Sequence, residues 1–286
     1  MRQELVRFLS TDKLELSGIL YKPENDSSKT IIHVHGLAGN FYGNSYTDYL
    51  AEAYTKKGYN FLVFNNRGTS YYSEFNKFGD ISKRVFIGSV YEKFTDSVND
   101  IEGAINFVKS IGTEEIILEG HSYGCNKVIY YYNQKKDNNI SKIILLAPCD
   151  VILSMKYIVG EKFDMVIEHA KKLVSEGKGK ELLESEYYPK TYTAETFVDG
   201  FIPDSQADIF RYREPEYISP PLKDIKIPVL IQIGTNDEYI KGLPRELIIN
   251  FFESNLDNYK LDFIEGATHN YSPKEKELVK NLTLNI

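Results

Sequence analysis

The chain has 286 residues, 42% of them hydrophobic, which is long enough for one large α/β domain or a domain carrying a substantial insertion. Its 34 Lys and Arg against 41 Asp and Glu leave a formal charge of −7, which argues against a nucleic-acid surface and offers no basic stripe to anionic lipid. Cys125 and Cys149 are the only cysteines, too few for a secreted disulfide framework, and both flank predicted core strands, so buried reduced thiols are expected.

The first ten residues, Met1 to Ser10, hold no long apolar core and no small-residue cleavage site, so no signal peptide is expected. No apolar run approaches the roughly 18 residues of a membrane span, and a soluble cytoplasmic protein is the expectation. Val6–Leu9 and Leu14–Tyr21 read as an antiparallel opening pair of strands. Thr30–His35 is the first buried strand and runs into Gly36-Leu37-Ala38-Gly39-Asn40. A helix over Tyr46–Lys57 ends at Gly58. Asn60–Phe64 is the next apolar strand, followed by a loop rich in Tyr, Phe and Gly as far as Tyr91. Phe94–Ser110 is amphipathic, with Val98, Ile101, Ile105 and Val108 at helical spacing.

Ile116, Ile117 and Leu118 form a short buried strand before Gly120-His121-Ser122-Tyr123-Gly124, and a helix follows from Asn126 to Gln134. Lys142–Ala147, Ile227–Ile233 and Lys260–Ile264 complete the strands. Glu246–Ser254 and Pro273–Leu282 are the last helices. Short apolar strands alternating with amphipathic helices predict an α/β fold: a mostly parallel central sheet covered by helices on both faces. Ligands in such sheets bind at the carboxyl ends of the strands.

Residues 150–222 break the alternation. Phe163, Val166, Ile167, Leu173 and Val174 make one helical stripe. Tyr187, Tyr188, Tyr192, Phe197, Phe201, Phe210, Tyr212 and Tyr217 follow without period. The expected organisation is a core of residues 1–149 and 223–286 with a helical lid over 150–222. The competing reading is a set of helices packed far from any site.

Gly-x-Ser-x-Gly is weak as a pattern and informative in its setting, a strand turning sharply into a helix. Gly120 and Gly124 flank a serine that must sit in a strained turn, clear of the backbone, at the positive end of the next helix. The plain alternative is a capping serine. A serine hydroxyl needs a neighbouring base, and that base needs a carboxylate to fix its tautomer. Of five histidines, His33 lies inside a strand, His35 ends one, His121 is the variable elbow position and His169 is on the polar side of the 163–174 helix. His269 follows the last strand, in a loop that can reach over the strand ends, and is the base by placement. Asp237, in the loop after the penultimate strand, is the expected acid, with Glu238 and Asp150 as contenders. The backbone N–H groups of Tyr123 and Leu37 are the expected oxyanion donors, with His35 and Gly36 supporting the second. Asn40 and Arg67 are candidate buttresses of that loop.

His35-Gly36, Asn66-Arg67-Gly68, Gly120-x-Ser122-x-Gly124, Gly234-x-x-Asp237 and Gly266-x-x-His269 together resemble the α/β-hydrolase superfamily of serine hydrolases. The chain is most similar to small bacterial carboxylesterases of the feruloyl and cinnamoyl type, which carry a lid between the sixth and seventh core strands. The order Ser, Asp, His is that of the superfamily. The elbow ends Gly124-Cys125 where many members have glycine or alanine, and Asn65-Asn66 stands where an aspartate is frequent. The resemblance implies an α/β-hydrolase fold and hydrolysis through an acyl-enzyme, with no cofactor and no metal. The expected partner is a small-molecule ester, not nucleic acid or membrane; the oligomeric state stays open, a homodimer included. Two other readings remain: acyl transfer or amide cleavage by the same triad, and a non-catalytic binding scaffold.

Overall fold

The computed structural model describes residues 1–135, 139–183, 192–214 and 216–286; Tyr187 and Tyr188 lie outside them. The chain opens with β1 (Arg2–Leu9) and β2 (Glu15–Lys22), an antiparallel pair. β3 (Lys29–Val34), α1 (Tyr46–Lys56) and β4 (Asn60–Phe64) follow. Next come β5 (Glu74–Lys77), β6 (Asp80–Phe86), α2 (Ser97–Ser110), β7 (Glu115–His121), α3 (Tyr123–Gln134) and β8 (Ile140–Leu146). Between β8 and β9 (Val229–Gly234) lie α4 (Val151–Val159), α5 (Phe163–Ser175), α6 (Ala194–Gly200) and α7 (Pro220–Lys223). α8 (Arg245–Asn255), β10 (Tyr259–Ile264) and α9 (Glu275–Thr283) close the chain.

Eight strands form one sheet in the order β1-β2-β4-β3-β7-β8-β9-β10. Only β2 runs against the rest, antiparallel to both of its neighbours, β1 and β4. The alternating side chains of the central strands feed two cores. Ile31, Phe61, Val63 and Ile117 pack under α1 and α9 with Tyr46, Leu50 and Leu278. Ile32, Leu62, Ile116 and Leu118 pack under α2, α3 and α8 with Ile101, Val128 and Phe251. Each such fully buried side chain stabilises the fold by roughly 1.5–3 kcal/mol. Strand order reverses direction at β3, which has β4 on one side and β7 on the other. That reversal opens a crevice at the carboxyl ends of β3 and β7, where an open α/β sheet binds its ligand.

Four features differ from the sequence expectation. The 69–91 segment is not all loop, since β5 and β6 form a separate antiparallel hairpin. Helix α3 starts at Tyr123, directly after Ser122, rather than at Asn126. Val174 does not belong to the buried stripe of α5: one residue past Leu173 it turns about 100° off the face and is 38% exposed. Phe210 and Tyr212 are not part of the apolar core formed by α4, α5 and α6, and the Tyr212 hydroxyl donates to the Pro148 carbonyl, two residues past β8, at 3.1 Å. They pack against Phe251 and Phe252 of α8, with Tyr212 and Phe251 ring centres 5.4 Å apart. A third core joins Val151, Met155, Phe163, Val166, Phe197 and Phe201 to Phe94 and to the elbow residue Tyr123.

Candidate active site

β7 delivers the chain to Ser122 at φ 56° and ψ −127°, and α3 begins at the next residue. A non-glycine residue in that region costs on the order of 1–3 kcal/mol and persists only where its surroundings impose it. Here the Ser122 N–H donates to the Leu146 carbonyl of β8 at 2.8 Å, and the Ser122 carbonyl accepts from Cys125 N–H at 2.9 Å. Gly124 permits the turn, because a Cβ there would stand 2.1 Å from the Val34 carbonyl oxygen. The amide of Tyr123, first in α3, belongs to the helix end whose N–H groups lack intrahelical partners.

His269 follows β10 and Asp237 follows β9, neighbouring parallel strands, so the two loops meet. The Nδ1–H of His269 donates to Asp237 Oδ2 at 2.7 Å, and both side chains are buried. That bond fixes the tautomer and leaves Nε2 as the ring nitrogen able to take a proton. Asp237 Oδ1 accepts from Tyr239 N–H at 3.0 Å. The backbone of His269 is held on both sides. Its N–H donates to Glu238 Oε2 at 3.1 Å, and its carbonyl accepts from the Nε2–H of His121 at 3.0 Å. Burial, with the neighbouring His269 ring, holds His121 well below the usual histidine range, so this donor is neutral. The Tyr239 ring stands edge-on to the imidazole, centres 4.6 Å apart.

The contenders do other work. Asp150 Oδ1 accepts from the N–H groups of Ile152 and Leu153 at 3.1 and 3.0 Å, capping α4, and also pairs with Arg213 at 2.7 Å. Glu238 touches the backbone of His269, not the ring. His33 pairs with buried Glu119. Arg67 does not buttress the loop after β3; it is bound to Asp100, Asp12 and Asp96. Asn40 accepts from Tyr42 N–H in a local turn.

The loop after β3 lies against the serine, and a Cβ on Gly36 would come 2.8 Å from Ser122 Cβ. His35 anchors this loop: its Nδ1–H donates to the Gly36 carbonyl at 2.8 Å and its Nε2 accepts from Asn66 N–H at 3.1 Å. Burial drives the His35 pKa down to about 3, so the ring is neutral. Asn66 is the support the sequence reading assigned no role. A pair of polar residues, Asn65 and Asn66, closing an apolar strand was its signal.

Ser122, His269, Leu37 and Tyr123 all line one cavity of about 230 Å³. One face of α4 (Val151, Ser154, Met155 and Ile158) closes it with Tyr192 and Phe201. Among the described residues that line it there is no Asp, Glu, Lys or Arg. Cys149, half-buried beside Ser154, is also part of the wall. Among the described residues no group of three or more His, Cys, Asp or Glu side chains converges as metal ligands, and no helix is long and apolar enough to cross a membrane.

A sequence model of the family described as "Protein of unknown function (DUF1749)" matches residues 8–286. No curated protein matches the chain. Similar solved structures include Est1E from Butyrivibrio proteoclasticus with ferulic acid bound, at 19% identity and TM-score 0.64, covering 97% of this chain and 96% of that one. The esterase Pf2001 of Pyrococcus furiosus matches at 20% identity and TM-score 0.62, covering 98% and 89% of the two chains. The α/β hydrolase GrgF from Penicillium sp. sh18 matches at 17% identity and TM-score 0.65, covering 99% and 97%. At these identities the likeness is one of fold, and the fold is that of the α/β hydrolases.

Proposed function

This chain belongs to the DUF1749 family, and we propose that it is a serine hydrolase cleaving a carboxylic ester, or a thioester, of an apolar or aromatic acyl group. The observation that carries this reading is the strained Ser122 opening on the same cavity as an imidazole already bonded to Asp237.

In this reading Ser122 Oγ attacks the acyl carbon while its proton passes to His269 Nε2. The N–H groups of Leu37 and Tyr123 receive the oxyanion, each worth about 3–4 kcal/mol to the transition state. His269 then gives its proton to the leaving alcohol or thiol. Water, activated by the same ring, releases the acid and restores Ser122. Residues 150–222 act as the lid, since α4 and Phe201 wall the cavity with apolar side chains. The absence of Asp, Glu, Lys and Arg among the described lining residues suits a neutral substrate. The ferulic acid bound to Est1E supports an aromatic acyl group here.

Fluorophosphonate labelling of the wild-type protein, lost in Ser122→Ala, tests the reading, and p-nitrophenyl esters of graded acyl length rank the substrates. A folded wild-type protein that takes no label and hydrolyses none of these esters overturns it.

A further inference from the structure

Helix α3 carries a lysine where its face is wholly buried. Lys127, one turn after Tyr123, has 0% exposure, and its ammonium pairs with Glu92, which is buried as well. The proposed reaction uses neither residue. A buried ion pair is a poor device for stability, because removing both charges from water offsets most of their attraction. Replacing such a pair by apolar side chains of similar size is often neutral. Its place next to the elbow therefore calls for a different explanation.

The contacts of Lys127 run to both halves of the oxyanion site. Its Nζ donates to Asn66 Oδ1 at 3.2 Å and lies 5.5 Å from the centre of the Tyr123 ring. Asn66 grips His35 twice: its N–H donates to the ring at 3.1 Å and its side-chain amide to the His35 carbonyl at 3.2 Å. The His35 ring then donates to the Gly36 carbonyl at 2.8 Å. That carbonyl and the Leu37 N–H belong to one planar peptide group, and in a trans peptide they point in opposite directions. Fixing the Gly36 oxygen therefore fixes the direction of the Leu37 N–H.

We propose that Lys127, balanced by Glu92, is a positioning residue that sets the Leu37 oxyanion donor through Asn66 and His35 and ties it to the helix bearing the Tyr123 donor. The proposal rests on the hydrolase reading above. Binding of the ground-state ester does not depend on the direction of that N–H, whereas stabilisation of the developing oxyanion does.

The test is the double variant Lys127→Met/Glu92→Leu, which removes both charges and keeps the volume. Its melting temperature, kcat and KM on a p-nitrophenyl ester, and inhibition by an aryl trifluoromethyl ketone are measured against wild type. The expected result is a melting temperature and KM near wild type, kcat lower by about 10- to 100-fold, and a matching loss of affinity for the ketone. A double variant that folds with wild-type kcat and ketone affinity reduces the pair to packing and overturns the proposal. Should it not fold, Asn66→Asp serves instead: it keeps the oxygen facing Lys127 but loses the donor to the His35 carbonyl. Lower kcat at constant KM supports the relay there, and unchanged kcat overturns it. Wild-type protein inactive throughout would refute the hydrolase reading itself, a result distinct from active wild type with equally active variants.

Discussion

Asp237 Oδ2 and His269 Nδ1 stand 2.7 Å apart, although 32 residues separate them in the chain. Two parallel strands, β9 and β10, bring them together, and both loops leave the sheet on the same side. Asp237→Asn is expected to keep the fold and lower kcat by about 10⁴, because the amide allows the wrong imidazole tautomer. Glu238→Gln, which touches only the His269 backbone, is expected to stay within about threefold of wild type, as a change at one neutral-compatible hydrogen bond. Steady-state kinetics with one nitrophenyl ester separate the two. Equal losses in both variants would remove Asp237 from its proposed role.

His121 holds the loop of the proposed base by its carbonyl. Replacement by Phe keeps an aromatic ring in the same space and deletes that donor. The expected cost is about 1–2 kcal/mol of transition-state stabilisation, a fall of roughly tenfold in kcat. Circular dichroism should show the fold unchanged. A variant with full kcat would mean that the Asp237 bond alone positions the ring.

Burial depresses the pKa of His35 to about 3 and that of His121 well below its ordinary value. An unfolded histidine titrates near about 6.5. Below that pH the unfolded chain takes up protons that the folded chain refuses, so stability is complete above about pH 6.5 and is lost as pH falls. For His35 the loss continues down to the folded value of about 3. Each such histidine contributes about 1.4 kcal/mol per pH unit within its window. Urea unfolding between pH 6 and pH 4.5 should therefore show a slope shallower by about that amount in His35→Gln. An unchanged slope would show that the folded ring does accept a proton.

Met155 lies on the α4 face that walls the cavity. Met155→Ala enlarges that wall and is expected to raise kcat/KM for longer acyl chains over acetate by about tenfold, the usual worth of one or two methylenes in an apolar pocket. A flat response across the ester series would place the acyl chain elsewhere.

Gly124→Ala drives a methyl group to 2.1 Å from the Val34 carbonyl oxygen. Neither backbone can yield without moving β3 or α3. The expected loss is about 3 kcal/mol or more of stability by urea titration. A variant as stable as wild type would mean that the elbow is looser than its contacts imply.

The layered sheet was legible because its central strands are buried on both faces and so read as unbroken apolar runs; Asn60–Phe64 has no exposed residue. The hairpin of β5 and β6 was not legible because it has little buried face to print a pattern. Ile81 there is 70% exposed and Phe86 is 65% exposed. Phe210 and Tyr212 gave no period either, since they meet α8 from an irregular segment. At the site, Ser122, Asp237 and His269 could be picked out because each follows a strand end. Lys127 and Glu92 could not. A lysine and a glutamate 35 positions apart read as solvated charges, and only the folded chain seals them together.

The backbone of Ser122 sits where glycine is at ease and serine is not. Ser122→Gly is expected to melt no lower than the parent protein while losing all turnover. The serine at this hinge therefore costs the fold thermal stability that a glycine would return, and the proposed reaction is what gives its hydroxyl a use.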